Sequence, residues 1–141
     1  MSFKNPDEQT IQKYLQSARN IAIVGLSNKE DRTSYQVAKF LQEQGYQLFP
    51  VNPVLAGKTI LGEPVYEKLQ DIPETIDIVD IFRRSEFLPE VAQDFLETDA
   101  KVFWAQLEIE NEAAAKLLQE AGRTDIVMNR CTKVEWKKMT Q

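Results

Sequence analysis

Four stretches of this sequence carry side chains that could hold or transform a ligand. The first is Gly25-Leu26-Ser27-Asn28-Lys29-Glu30-Asp31-Arg32-Thr33-Ser34-Tyr35, which follows the apolar run Ile21-Ala22-Ile23-Val24. Gly25 lets the backbone turn sharply and lets a ligand approach with no side chain in the way. A helix starting just beyond it would present free N–H groups and the positive end of its dipole, and both favour an anion. Ser27, Asn28 and Ser34 add donors there, while Lys29 and Arg32 add positive charge. With a single glycine this is not the G-x-G-x-x-G dinucleotide fingerprint. Read alone, the segment fits a phosphate site and a solvated polar loop equally well.

The second stretch is Pro50-Val51-Asn52-Pro53, with Lys58 a little further on. A nicotinamide dinucleotide site usually places an acid here for the ribose hydroxyls. This chain has Asn52, and no acid follows until Glu63. Lys58 could reach a phosphate, although a single loop lysine is more simply a solvated one. The third stretch is Phe82-Arg83-Arg84-Ser85-Glu86. Guanidinium groups bind phosphate through paired N–H groups and stack on purine rings. The plainer alternative is an ion pair with Glu86 or Asp80, but the position at a strand end favours a ligand. The fourth is Cys131, between Arg130 and Lys133, where cations could favour a thiolate. A lone cysteine is more often an inert buried residue. Trp104, before Ala105-Gln106-Leu107, could wall a pocket but reads more simply as core.

What is missing narrows the chemistry further. The 141 residues include no histidine, which excludes a Ser-His-Asp triad, a Cys-His pair, a phosphohistidine and a His-ligated metal. Catalysis would have to use carboxylates, Lys, Tyr, Cys131 or a bound cofactor. One cysteine cannot form an internal disulfide, which suits a reducing cytoplasm. The net charge of -5 argues against a broad nucleic-acid face but not against a small anion held by a few basic residues. No apolar run approaches the roughly 20 residues of a membrane helix. The Met1–Asp7 segment has no secretory h-region. We therefore expect a cytoplasmic protein with neither membrane nor nucleic-acid partners. Its length falls within the roughly 100–150 residues typical of one domain, so residues 1–141 are expected to form one.

These residues must be positioned by an alternation of short apolar runs and amphipathic stretches. The runs Ile21–Val24, Tyr46–Val51, Ile76–Phe82, Lys101–Trp104 and Asp125–Met128 read as buried strands. Val37, Phe40 and Leu41 form a helical stripe closed by Gly45, with Thr33 and Gln36 at capping-box spacing and Ser34 as a rival cap. Leu88, Val91, Phe95 and Leu96 form another, with Ser85 as its expected N-cap and Pro89 in the tolerated first turn. Ala114, Leu117, Leu118 and Ala121 form a third, ended by Gly122. Further helices are expected over Asp7–Ser17 and within Arg130–Met139. The segment Pro53–Pro73 reads as an excursion with a short strand near Ile60 or Val65. This order predicts an α/β, Rossmann-like, doubly wound fold: a mostly parallel five-stranded sheet with helices on both faces. Ligands of such sheets bind beyond the strand carboxyl ends, where the strand order reverses.

Several segments taken in order resemble a known family. They are Val24–Lys29 with Arg32–Tyr35, Gly45-Tyr46 leading to Pro50–Pro53, Ile60–Glu63, Asp80–Glu86, Trp104–Leu107, Asn111-Glu112 and Met128–Cys131. Over about Asn20 to Val134 the chain resembles the stand-alone bacterial CoA-binding domain proteins. These are similar to the CoA-binding N-terminal domain of the succinyl-CoA synthetase alpha subunit. The resemblance implies binding of coenzyme A or an acyl-CoA without an established catalytic role. Carried over by position, it implies Gly25, Ser27, Asn28, Lys29, Arg32 and Ser34 at the pyrophosphate. It implies Asn52, Pro53 and Lys58 along the adenosine and its ribose phosphate, and Phe82, Arg83 and Arg84 closing the purine side. Thr33 stands where relatives often have proline, and Asn129 where many have aspartate. The synthetase subunit uses a phosphorylated histidine, which this chain cannot supply. Two alternatives stay open: an NAD(P)-dependent oxidoreductase, and a ligand-sensing subunit that binds a protein partner.

Overall fold

The short β-branched and aromatic runs do form one parallel sheet. The computed structural model describes residues 3–139. The strands are β1 (Asn20–Val24), β2 (Gln47–Val51), β5 (Ile78–Ile81), β6 (Val102–Ala105) and β7 (Ile126–Val127), in the order β2-β1-β5-β6-β7. Every pairing in this sheet is parallel. The order reverses between β1 and β5, so the carboxyl ends of those two strands frame the predicted ligand position.

Alternating residues divide the sheet into two faces. Ala22, Val24, Val79, Ile81, Phe103 and Ala105 pack under α3 (Leu88–Leu96) and α4 (Glu112–Glu120). Ile21, Ile23, Ile78, Trp104 and Val127 pack under α1 (Glu8–Ser17), α2 (Thr33–Glu43) and α5 (Thr132–Met139). Trp104 is fully buried, and its indole N–H donates to the Arg130 carbonyl at 2.8 Å, so it is core. No helix among the described residues is long and apolar enough to cross a membrane.

The excursion after β2 is a two-residue antiparallel hairpin, β3 (Thr59–Ile60) with β4 (Glu63–Pro64), followed by a 3-10 turn at Leu69–Asp71. It covers the β2 edge, where the Tyr66 N–H donates to the Pro50 carbonyl and the Asn52 N–H to the Tyr66 carbonyl, both at 2.9 Å. At the other edge, Asn5 substitutes for a strand. Its amide exchanges two 2.8 Å hydrogen bonds with the Met128 backbone.

Two expected caps are corrected. Residue Arg32, not Thr33 or Ser34, occupies the N-cap of α2, and no side chain caps that helix. The Ser34 Oγ instead accepts from the Ser27 N–H at 3.1 Å, and the Gln36 amide donates to the Glu30 carbonyl. Ser85 opens a 3-10 turn before α3, and its Oγ accepts from the Glu110 N–H at 3.0 Å. In both cases the serine hydroxyl holds a neighbouring loop rather than its own helix.

Candidate functional site

Gly25 ends β1 at the point where the strand order reverses. Its φ is +84°, a left-handed conformation that disfavours any side chain. A Cβ added there would lie 2.5 Å from the Phe82 carbonyl oxygen. The turn is therefore tight against the end of β5, and only glycine fits. Just beyond it, the N-terminus of α2 has no side-chain cap, so its first backbone N–H groups lack a partner within the helix and lie at the positive end of the helix dipole. The intervening loop is ordered by its own hydroxyls: besides the Ser34 bond, the Ser27 Oγ accepts from the Lys29 N–H at 3.0 Å.

Two clefts meet at this turn and share Gly25 and Arg83. The first, of about 820 Å³, runs along the ends of β1 and β2 and is lined by Asn52, Pro53, Lys68 and Gln70. Its outer wall carries Glu67, Glu90, Asp94 and Glu97. The second, of about 1190 Å³, runs past the start of α2 toward the start of α5. It is lined by Arg32, Arg83 and Arg84, by Leu107, Ile109, Cys131 and Val134, and by the acidic Glu86 and Glu108. Leu107 and Val134 are among the few large apolar side chains left exposed, at 57% and 50%.

Charge is unevenly placed across this surface. Among the described residues neither Arg32 nor Arg83 has a carboxylate partner. The Arg83 guanidinium lies 4.6 Å from the Phe87 ring centroid, which steadies it without neutralising it. Arg84 does approach Glu86, at 4.0 Å, but both are exposed, and such a pair is weak. The expected alternative partner, Asp80, points into the core instead.

Beneath the second cleft, Asp80, Gln106 and Thr132 form a buried polar network. The Gln106 amide donates to Asp80 Oδ1 and, at 2.8 Å, to Thr132 Oγ1; the Thr132 hydroxyl donates to Asp80 Oδ2 at 3.0 Å. Burial raises the Asp80 pKa from 3.8 to about 7, and the two hydrogen bonds oppose that rise only in part. The network ties the ends of β5 and β6 to the first residue of α5.

The sequence-predicted residues divide into three groups. Gly25, Ser27, Arg32, Ser34, Phe82, Arg83 and Arg84 come together in the second cleft. Asn52 and Pro53 join Gly25 and Arg83 in the first. The Asn52 side chain has structural duties there: its Oδ1 accepts from the Val54 N–H at 2.9 Å and its Nδ2 donates to the Leu26 carbonyl at 3.0 Å. Asn28, Lys29 and Lys58 line neither cleft. Phe82 and Arg84 stand in the cleft away from Asn52, so of the Phe82–Arg84 trio only Arg83 reaches both.

Sequence reasoning assigned no site role to Gln106, Lys68 or the acidic wall. Glu90, Asp94 and Glu97 recur at helical spacing, a signal that was available. Gln106 directly follows a strand end, and Asp80 is an acid inside an apolar strand. Lys68 lies in the irregular excursion, where no periodicity points to it.

Known proteins match this chain along most of its length. A family model described as "CoA binding domain" matches residues 19–137. The YneT protein of Bacillus subtilis (strain 168) is 49% identical over 131 residues, covering 93% of this chain and 95% of that one. The solved structure of a hypothetical protein from Pyrococcus horikoshii OT3 superposes with a TM-score of 0.90 at 33% identity, over 100% of both chains. The acetate–CoA ligase (ADP-forming) I subunit alpha of Pyrococcus furiosus is 30% identical over 88 residues, which is 60% of this chain but only 19% of that subunit. With its parallel sheet, its glycine turn at the strand-order reversal and this match across residues 19–137, the chain belongs to the CoA binding domain family.

Proposed function

We propose that this protein binds coenzyme A or an acyl-CoA at the carboxyl ends of its strands and does so without catalysing a reaction. One observation carries the reading. The Gly25 turn, free of any side chain and flanked by two arginines that have no carboxylate partner among the described residues, is where both clefts of this CoA binding domain chain meet. A pyrophosphate there accepts from the α2 N-terminus, from Ser27 and Ser34, and from the guanidinium groups of Arg32 and Arg83.

From that anchor the two ends of the ligand diverge. The adenosine enters the first cleft, over Asn52 and Pro53. Its acidic wall accepts hydrogen bonds from the base amino group and the one ribose hydroxyl that carries no phosphate, and it repels phosphate. That repulsion keeps the phosphates at the Arg83 end, with Lys68 as the cation nearest the ribose phosphate. The pantetheine arm enters the second cleft, whose Leu107, Ile109 and Val134 suit its alkyl portions. A catalytic role has no support from a histidine, and the carboxylate with the most perturbed pKa, Asp80, is fully buried.

Isothermal titration calorimetry tests this. Coenzyme A should bind more tightly than NAD. Arg83→Ala and Arg32→Ala should each weaken it by roughly 10- to 100-fold, the usual loss of a charge-assisted hydrogen bond. Absence of CoA binding at millimolar concentration, or tighter binding of NAD, would sink the reading.

A further inference from the structure

Cys131 is half-buried and lines the second cleft, the one that also holds Arg32, Arg83 and Arg84. The cations beside it in sequence are turned elsewhere. Arg130 Nη1 lies 2.8 Å from Glu8 Oε1 and 3.6 Å from Glu135 Oε1, and the Lys133 ammonium sits 5.3 Å from the Phe40 ring centroid. Any selective chemistry at this thiol must therefore come from what the cleft holds against it.

A second feature of the same cleft points to such a ligand. Gln106 is only 3% exposed, yet it reaches the cleft wall. Both hydrogens of its amide nitrogen are donated, to Asp80 and Thr132, which fixes the orientation of the amide. Its Oε1 then accepts no hydrogen bond among the described residues. An acceptor on a nearly buried side chain, held rigidly in the wall of a cleft, is suited to an N–H donor from a bound molecule. The same lining includes the apolar side chains of Leu107, Ile109 and Val134, of which Leu107 and Val134 are exposed, together with Glu108. The matching ligand segment is a flexible alkyl amide, and Cys131 stands along its course.

We propose that Cys131 captures the thiol end of coenzyme A as a mixed disulfide. This rests on the CoA-binding reading above and adds a covalent, reversible state to that site. The co-reactant is a disulfide of coenzyme A. The Cys131 thiol gives its proton to solvent, and its sulfur attacks one sulfur of that disulfide. A Cys131–S–S–CoA bond forms, the original S–S bond breaks, and the second CoA leaves as a thiolate that takes up a proton. The protein loses one hydrogen and gains one CoA residue, with the oxidising equivalent supplied by the incoming disulfide. Selectivity arises because the pyrophosphate anchor holds the reacting sulfur near Cys131.

Intact-mass kinetics on the full chain test the proposal. The reduced protein is exposed to CoA disulfide or to the small neutral 2-hydroxyethyl disulfide, with and without desulfo-coenzyme A as a competitor that cannot react. We expect one adduct per chain, equal to CoA less two hydrogens, reversed by dithiothreitol and absent in Cys131→Ser. CoA disulfide should react roughly tenfold faster or more than the small disulfide, and desulfo-coenzyme A should abolish that excess. Equal or slower reaction of CoA disulfide, or an excess that survives the competitor, overturns the proposal. Calorimetry of Cys131→Ser with reduced CoA separates the two claims. Tight binding there without selective labelling of the wild type refutes the covalent step alone. No binding in either protein refutes the reading beneath it.

Discussion

Replacing Asp80 with asparagine should stabilise the protein at pH 8 and matter much less in acid. The carboxyl is fully buried, and its pKa stands at about 7 in the folded protein against 3.8 for the ordinary group. Because the folded state holds this proton more tightly, it binds more protons than the unfolded chain between those two values. Stability therefore falls as pH rises through that window and is flat above it. The difference of about 3 pKa units corresponds to about 4 kcal/mol in total, of which about 2–3 kcal/mol falls between pH 5 and pH 8. Asparagine mimics the protonated acid: its carbonyl can accept from Gln106 and its amide can donate to Thr132. Urea unfolding of both proteins at pH 5, 6.5 and 8 measures the effect. The stability of Asp80→Asn relative to wild type should rise by about 2–3 kcal/mol from pH 5 to pH 8. A difference that stays constant with pH would show that Asp80 does not titrate in this range and would refute the reasoning.

Other perturbations probe the scaffold around the site. Gly25→Ala places a Cβ against the Phe82 carbonyl and forces a side chain into left-handed backbone; urea unfolding should show a loss of about 2 kcal/mol or more. The same variant should lose CoA binding by calorimetry. Asn111 caps α4 through the Ala114 N–H at 2.9 Å and donates to the Ser85 carbonyl at 3.0 Å. Asn111→Ala should cost about 1–2 kcal/mol in the same assay and loosen the loop that follows Arg84. Asn5→Ala removes both hydrogen bonds at the β7 edge and should cost about 1–2 kcal/mol, with faster hydrogen exchange at the Met128 amide.

The sheet was legible in the sequence because its strands are buried on both faces and leave continuous apolar runs. The helices were legible through their stripes and closing glycines. The two serine caps misled because a hydroxyl near a helix start can equally hold a passing loop, and tertiary contacts decide between them. The glycine turn and the basic residues around it were readable, since Gly25, Arg32 and Arg83 all follow strand ends that the fold rule singles out. The first cleft was not, because half of it comes from an irregular excursion and from the exposed face of α3. Lys58 shows the limit of counting along the chain: the hairpin after β2 places it away from both clefts. Asp80 looked like a possible partner for the arginines, yet strand alternation turns its side chain to the α5 face, where Gln106 and Thr132 hold it.

Native mass spectrometry of protein freshly purified under reducing conditions tests the central claim most directly. The account predicts one noncovalent ligand of coenzyme A or acyl-CoA mass per chain, or its uptake when CoA is added at millimolar concentration. Uptake should be diminished in Arg83→Ala. A wild-type protein that carries no such ligand and takes up none would contradict it.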